Sequence, residues 1–393
     1  MRPRTLTALA AVGLAIAAPA ASLAAQPQDS STTLGTGSET CTIKRGASCG
    51  GVTHHHADLR GRDLRGVHFE KAKMHHADFR QADLRGARFD GAKLRGADFS
   101  GARLKGAHFG PPKRVGKGAN QAQAAPWCNP NCSGADLRSA NFTGANLTSA
   151  NFTGASLTSA NLTSANLTSA NLGGADITTA NFTYATLNGV RSGSLIGPPL
   201  VIPSDWFLAN GYLVGPGANL TNASLGGANL TRANLTSANL TSANFTGASL
   251  TSANLTSANL TSANLGGADI TTANFTYATL TRVRSGWLTG PPLVIPSGWV
   301  LANGYLVGPG ANLTNASLGG ANLTRAYLSS ANLTSADISG ANLFSANLTN
   351  ADLTSANLSS ANLSYATLTG AFFPGATFRQ TTCPNGTVTS TGC

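Results

Sequence analysis

The chain has 393 residues, 10% of them charged, and its 26 Lys and Arg outnumber 15 Asp and Glu to give a net charge of +11. That balance favours anionic partners over cationic ones. Six Cys are present, and all seven His fall between His54 and His108.

Residues 1–25 carry Arg2 and Arg4, an apolar run from Leu6 to Ala18, and small residues up to Ala24 and Ala25. This is the layout of a secretory signal cleaved near Ala24 or Ala25; the run is too short for a membrane span and no second span follows. No transmembrane segment is expected, and the destination is the exterior or a bacterial cell envelope. Residues 26–56 begin as a polar leader with too little apolar surface to fold alone and end as an N-terminal cap.

The first block, 57–109, has apolar centres at Leu59, Leu64, Phe69, Met74, Phe79, Leu84, Phe89, Leu94, Phe99, Leu104 and Phe109, one every five residues. Helices repeat about every 3.6 residues and strands every second one, so a sustained five signals a solenoid. Within a unit, Ala two before the centre and the centre itself share one side, while the flanking Asp or Asn and Arg or Thr share the other. Ser or Gly two after the centre takes the corner.

Units such as Ala82–Gly86 (ADLRG) and Ala145–Ser149 (ANLTS) resemble those of pentapeptide-repeat proteins, over nearly all of residues 57–378. The resemblance implies an all-β fold, a right-handed quadrilateral β-helix with four units per coil. Residues twenty apart then stack at about 4.8 Å, so each outer face reads as a ladder. Phe every tenth residue from Phe69 falls on two opposite faces.

A linker with a Cys pair, 110–134, leads to block two, 135–189. Blocks three (218–282) and four (311–378) follow interruptions 190–217 and 283–310, and residues 379–393 form a C-terminal cap. Residues 151–233 recur 93 positions later with six differences in 83, including Ser194 against Trp287 and Asp205 against Gly298. Because 93 is not a multiple of five, each interruption is expected to shift the register. Asn210-Gly211 and Asn303-Gly304, each between apolar runs, signal hairpins. Trp206, Tyr212 and their copies Trp299 and Tyr305 read as covers for an exposed coil edge, with an aromatic binding spot as the alternative. In an exported chain the Cys favour disulfides, as the close pairs Cys41 with Cys49, Cys128 with Cys132, and Cys383 with Cys393.

No nucleophile and base are spaced for catalysis, and no P-loop or zinc-protease motif occurs, so the chain reads as non-enzymatic and without a cofactor. The Asn-Leu-Thr strings match glycosylation sequons as a by-product of the repeat, and their columns are expected to hydrogen-bond between coils. Charge is concentrated: 15 basic and 7 acidic residues lie between His54 and Gly118, against 7 and 6 from Ala119 onward. Three faces of the first block alternate acid with base. The fourth, centred on Met74 and Leu94, presents Lys73, Lys93, His75 and Arg95, with His76 at the corner and no carboxylate in those columns. His55 and His56 fall twenty residues earlier, giving two stacked imidazole pairs. Anion binding by Lys73, Lys93, Arg95, His75 and His76 is the favoured use of this face. A Zn²⁺ site of His55, His56, His75 and His76 is weaker, since the cations repel a metal and no carboxylate completes the set.

These readings converge on an exported, non-enzymatic scaffold or interaction protein, open to end-to-end self-association, whose partner is an unknown protein or an envelope polymer. Some members of the family it resembles bind DNA gyrase by imitating the charge of DNA; a neutral-to-basic exported rod argues against gyrase here. The alternative is an anionic polymer (envelope glycan, teichoic acid or nucleic acid) held by the first block. A weaker one is ice or crystalline glycan on the Thr columns.

Overall fold

A computed structural model describes residues 33–36, 39–104, 107, 109 and 132–393. The signal segment, most of the linker and Cys128 lie outside the described residues. Parallel bridges join residues twenty apart, and the series Asp58–Asp78–Asp98, Asp63–Asp83–Arg103, Ser48–His68–Arg88 and Thr53–Lys73–Lys93 mark four faces. Each bridged residue precedes an inward centre, and its backbone is shared by both neighbouring coils. Leu162 N–H donates to Asn181 O at 2.7 Å, while Asn181 N–H donates to Ala160 O at 2.9 Å.

Ala and the centres fill the interior along the whole stack: Ala160 and Leu162, like Ala82 and Leu84, have no exposed surface. Each buried Leu or Phe contributes about 1.5–3 kcal/mol. In the first block, rings twenty apart stack face to face, as Phe79 and Phe99 do at 4.9 Å and 4°. Rings ten apart meet edge-on across the lumen, as Phe79 and Phe89 do at 5.5 Å and 90°. The corner residue adopts a left-handed backbone, φ 57° at Ser159 and 54° at Ser164. The outward Asn steadies that corner: Asn161 Oδ1 accepts from the Thr163 N–H at 3.1 Å and from its hydroxyl at 2.6 Å. The Asn and Thr columns therefore bond chiefly within a unit. Cross-coil links such as Asn171 Nδ2 to Thr153 Oγ1, 3.0 Å, are the smaller share among the described residues.

The stack continues from one side of the linker to the other. Asp98 pairs with Asn141, and Phe99 stacks on Phe142 at 5.5 Å.

At the N-terminal end, β1 (Thr33–Thr36) pairs antiparallel with β2 (Glu39–Thr42). The two interruptions form the hairpins β3 (Phe207–Ala209) with β4 (Tyr212–Val214) and β5 (Val300–Ala302) with β6 (Tyr305–Val307). The edge-cover reading of Trp206 and Tyr212 is corrected here, because the hairpins run between coil stacks. Leu208 and Leu213 pack into the core below, while Phe207, Ala209, Tyr212 and Val214 pack into the core above. Trp206 touches both. The alternation of strand side chains thus gives each hairpin two apolar faces and makes it a partition across the lumen. One face keeps its ladder past each partition, through Arg191–Asn219 and Arg284–Asn312.

The five-residue register shifts at each interruption as expected, by three positions, while the ladder itself stays in phase. Each interruption lengthens one coil by eight residues, since Arg191 pairs with Asn219 rather than with a residue twenty away. The remaining 85 residues of the 93-residue repeat are seventeen units, four coils plus one, so the second copy sits one face round from the first.

The C-terminal end closes with β7 (Thr381–Thr382) against β8 (Val388–Thr389). Disulfides Cys41–Cys49 and Cys383–Cys393 tie the caps. Cys49 and Cys383 both hold buried centre positions, so each bridge fastens a terminal coil to its cap, at about 2–3 kcal/mol each by loop entropy. Among the described residues Cys132 is a free, buried thiol; its expected partner Cys128 lies outside them. It sits five residues before Leu137, at an inward centre, and burial pushes its thiol well above the usual range.

Candidate functional site

The first block divides into faces whose cations are committed and one whose cations are free. On two of the committed faces the residue before the centre is mostly Asp and the one after it mostly Arg, two apart on the same side of a strand. Arg60 Nε donates to Asp58 Oδ1 at 2.8 Å, Arg80 Nε to Asp78 Oδ1 at 2.9 Å, and Arg85 Nε to Asp83 Oδ1 at 2.7 Å. The next coil adds a second partner, as with Arg60 Nε to Asp78 at 3.5 Å. A third face closes on itself through Arg88 Nε to Glu70, 2.8 Å, and His68 Nδ1 to Glu70, 3.0 Å. An open groove of about 410 Å³ over Arg45, Arg65, Gly66 and Arg85 lies on the second committed face, where Asp63 and Asp83 hold two of its three guanidinium groups.

The side-chain hydrogen bonds from Arg60, Arg65 and Arg80 hold Asp58, Asp63 and Asp78 below the usual carboxylate range, Asp58 at about 2. A depressed folded value adds stability above the unfolded value of about 4. That stability is lost as pH falls from there toward 2. Backbone amides of residues 57–104 are expected to lose exchange protection at a higher pH, within that window, than those of the carboxylate-poor stretch 218–265. Loss of protection in parallel would contradict the ladder.

The fourth face differs. Lys73, Lys93 and Arg95 are exposed and make no ion pair among the described residues. His55 stacks on His75 at 4.9 Å, and His56 on His76 at 5.1 Å. His76 lies over Gly96, where a Cβ would meet its Nδ1 at 2.4 Å, so the imidazole column ends on bare backbone. The His75 N–H donates to His55 Nδ1 at 3.2 Å, and His75 Nδ1 is buried without a partner. Burial, then the neighbouring His55 and His76, lowers the His75 pKa and keeps that ring neutral near pH 7. No group of three or more His, Cys, Asp and Glu is placed to hold a metal among the described residues. Stacked parallel rings aim their nitrogens past a shared point, which works against chelation.

The linker hides one feature of this face from the sequence. Asp98 pairs with Asn141, so Asp136 continues the Lys73–Lys93 column and Arg138 continues that of His75 and Arg95. The face thus meets a carboxylate one coil on. Asp136 is taken by Arg138, with Nε to Oδ1 at 2.8 Å, and the Arg138 bond is the chief cause of its lowered pKa. Lys73, Lys93 and Arg95 still make no ion pair among the described residues, although the charge of Lys93 also helps to lower the Asp136 pKa.

Eight copies of the Pentapeptide repeats family match the chain, over residues 55–91, 72–110, 131–168, 160–191, 217–251, 253–284, 310–343 and 341–380. The chain belongs to the pentapeptide-repeat family. This pentapeptide-repeat protein is accordingly a right-handed quadrilateral β-helix, in a family of scaffold and interaction proteins. Among solved structures it is similar to HetL, a pentapeptide repeat protein involved in heterocyst differentiation regulation in Nostoc. That match has 22% identity, covers 87% of this chain and 91% of that one, and has a TM-score of 0.16. A thylakoid-lumen pentapeptide repeat protein of Arabidopsis thaliana matches at 29% identity, over 35% of this chain and 69% of that one, TM-score 0.16. QnrB1, a plasmid-mediated fluoroquinolone resistance protein, matches at 14%, over 82% and 91%, TM-score 0.14. No curated protein matches the chain. No helix among the described residues is long and apolar enough to cross a membrane.

Proposed function

We propose that this protein is an exported, non-enzymatic scaffold that docks on an anionic polymer of the cell envelope through its first block. The observation that carries this reading is the set of unpaired cations Lys73, Lys93 and Arg95 on one face of a block whose other arginines are largely held by carboxylates. A free exposed cation releases polymer counterions on binding, whereas a paired one must first give up its carboxylate. The two terminal disulfides fit an oxidising compartment, and the signal-like residues 1–25 fit export. The long neutral part of the rod then holds the basic block at one end and leaves the rest for other contacts.

The test is binding of polyphosphate by wild type and by the Lys73→Glu, Lys93→Glu, Arg95→Glu triple variant as salt is raised. The variant is expected to bind more weakly, with a salt slope shallower by about 2–3. Equal affinity and slope would remove the proposal.

A further inference from the structure

The two copies of the duplicated segment differ at six positions, all between 188 and 207 in the first copy and 281 and 300 in the second. Two of them, Asn188 against Thr281 and Gly189 against Arg282, are the last outward and corner residues of a repeat block; the other four lie in the interruption. In the second copy Asp205 has become Gly298, and the next residue after the copied stretch is Tyr327 where the first has Asn234. A Cβ at Gly298 would stand 3.7 Å from the Tyr327 ring, so the tyrosine lies over the position that lost its carboxylate.

Tyr327 belongs to a line of rings. Arg284 pairs with Asn312, and Asn274 and Asn322 lie two units to either side of that pair, which puts them on one common face. The bridges Asn274–Val294 and Asn322–Asn342–Asn362 then carry this face upward. Tyr277 and Tyr365 take its corner, Phe344 lies just before the corner and Tyr327 just after it. These rings therefore follow one edge of the solenoid for four coil steps, about 20 Å. Tyr277 is 82% exposed, Tyr365 73% and Tyr327 57%, and Phe344 supports Tyr365 edge-on at 5.2 Å.

Tyr277 and Tyr365 also occupy left-handed backbone, φ 56° and 59°, which the same corner elsewhere gives to Ser257 and Ser345. A bulky side chain is disfavoured there, and rings this exposed recover little by packing.

We infer that this edge is a binding track for a linear, uncharged polysaccharide. Sugar rings offer an apolar C–H face to an aromatic platform and hydroxyls at their rim. This edge supplies exposed platforms about two coils apart at Tyr277, Tyr327 and Tyr365, with Asn322, Asn342, Asn362 and Arg325 between them as hydrogen-bonding groups. A protein partner calls for a contiguous apolar centre, and here polar residues separate the rings. The track lies far along the rod from the cationic face and does not rest on it.

The experiment is calorimetric titration of the folded, oxidised protein with cellohexaose, chitohexaose and xylohexaose. Wild type is expected to bind at least one of them, and Tyr277→Ser, Tyr327→Asn, Tyr365→Ser combined is expected to weaken it about tenfold or more. Tyr→Phe at the same three positions retains binding, because the ring and not the hydroxyl makes the platform. Ser restores the usual corner residue, so the thermal midpoint of the Ser/Asn variant is expected to be unchanged or higher, which separates lost binding from lost fold. Wild type binding none of the three glycans overturns the inference. So does equal binding by the Ser/Asn variant, or a role of these rings confined to self-association in sedimentation.

Discussion

Leu162→Asp is expected to remove most of the stability of the second block. Leu162 has no exposed surface and lies between coils whose centres are equally buried, with Phe142 below it and Phe182 above. A carboxylate there has no cation within the lumen, since every inward position nearby is Ala, Leu, Ile or Phe. The loss of an apolar side chain of this size costs about 2–5 kcal/mol. Desolvating an unpaired charge adds several more, or forces the group to protonate. Urea unfolding should show a marked fall in midpoint for Leu162→Asp and a smaller one for Leu162→Ala. An outward neighbour, Thr163→Asp, should stay near wild type. Equal effects at positions 162 and 163 would mean that the inward and outward registers are misassigned.

Trp206→Ala is the second large effect, and it separates a partition from an edge cover. The indole touches the cores on both sides of the first hairpin and fills the space beside Gly215, where a Cβ would lie 2.2 Å from its ring. Full burial of such a ring is worth about 3–5 kcal/mol on truncation, and partial exposure of Trp206 brings the expectation to about 2–4 kcal/mol. The cavity would open between two coil stacks that remain laddered on one face only, through Arg191–Asn219. Denaturant unfolding is therefore expected to change from one transition to two as the stacks uncouple. A cost under about 1 kcal/mol with a single transition is what an edge cover predicts.

Much of the fold is legible in the chain itself, because the repeat encodes inside and outside residue by residue. The twenty-residue stacking of His55 on His75 and His56 on His76, and of Phe79 on Phe99, follows from counting units. The same count places Cys49, Cys132 and Cys383 at inward centres. The phase across the linker was not legible, since nothing in residues 110–131 says which face resumes. Asp136 therefore could not be assigned to the Lys73–Lys93 column. The hairpins carried a clue in Trp206-Phe207-Leu208 and Tyr212-Leu213-Val214, apolar on both alternating sides, which marks a strand buried on both faces. The line of Tyr277, Tyr327, Phe344 and Tyr365 needed the length of the second interruption, eight residues within one coil, before its members fell on one edge.

The most direct test of the proposed function asks whether the face matters or only the charge. Lys73→Gln, Lys93→Gln, Arg95→Gln removes three unpaired cations, and Arg60→Gln, Arg80→Gln, Arg88→Gln removes three that are held by Asp58, Asp78 and Glu70. Both variants change the net charge by the same amount. Polyphosphate affinity measured across a salt series should fall strongly, with a shallower slope, in the first variant and only modestly in the second. Equal weakening in both would contradict the account and leave net charge as the whole explanation.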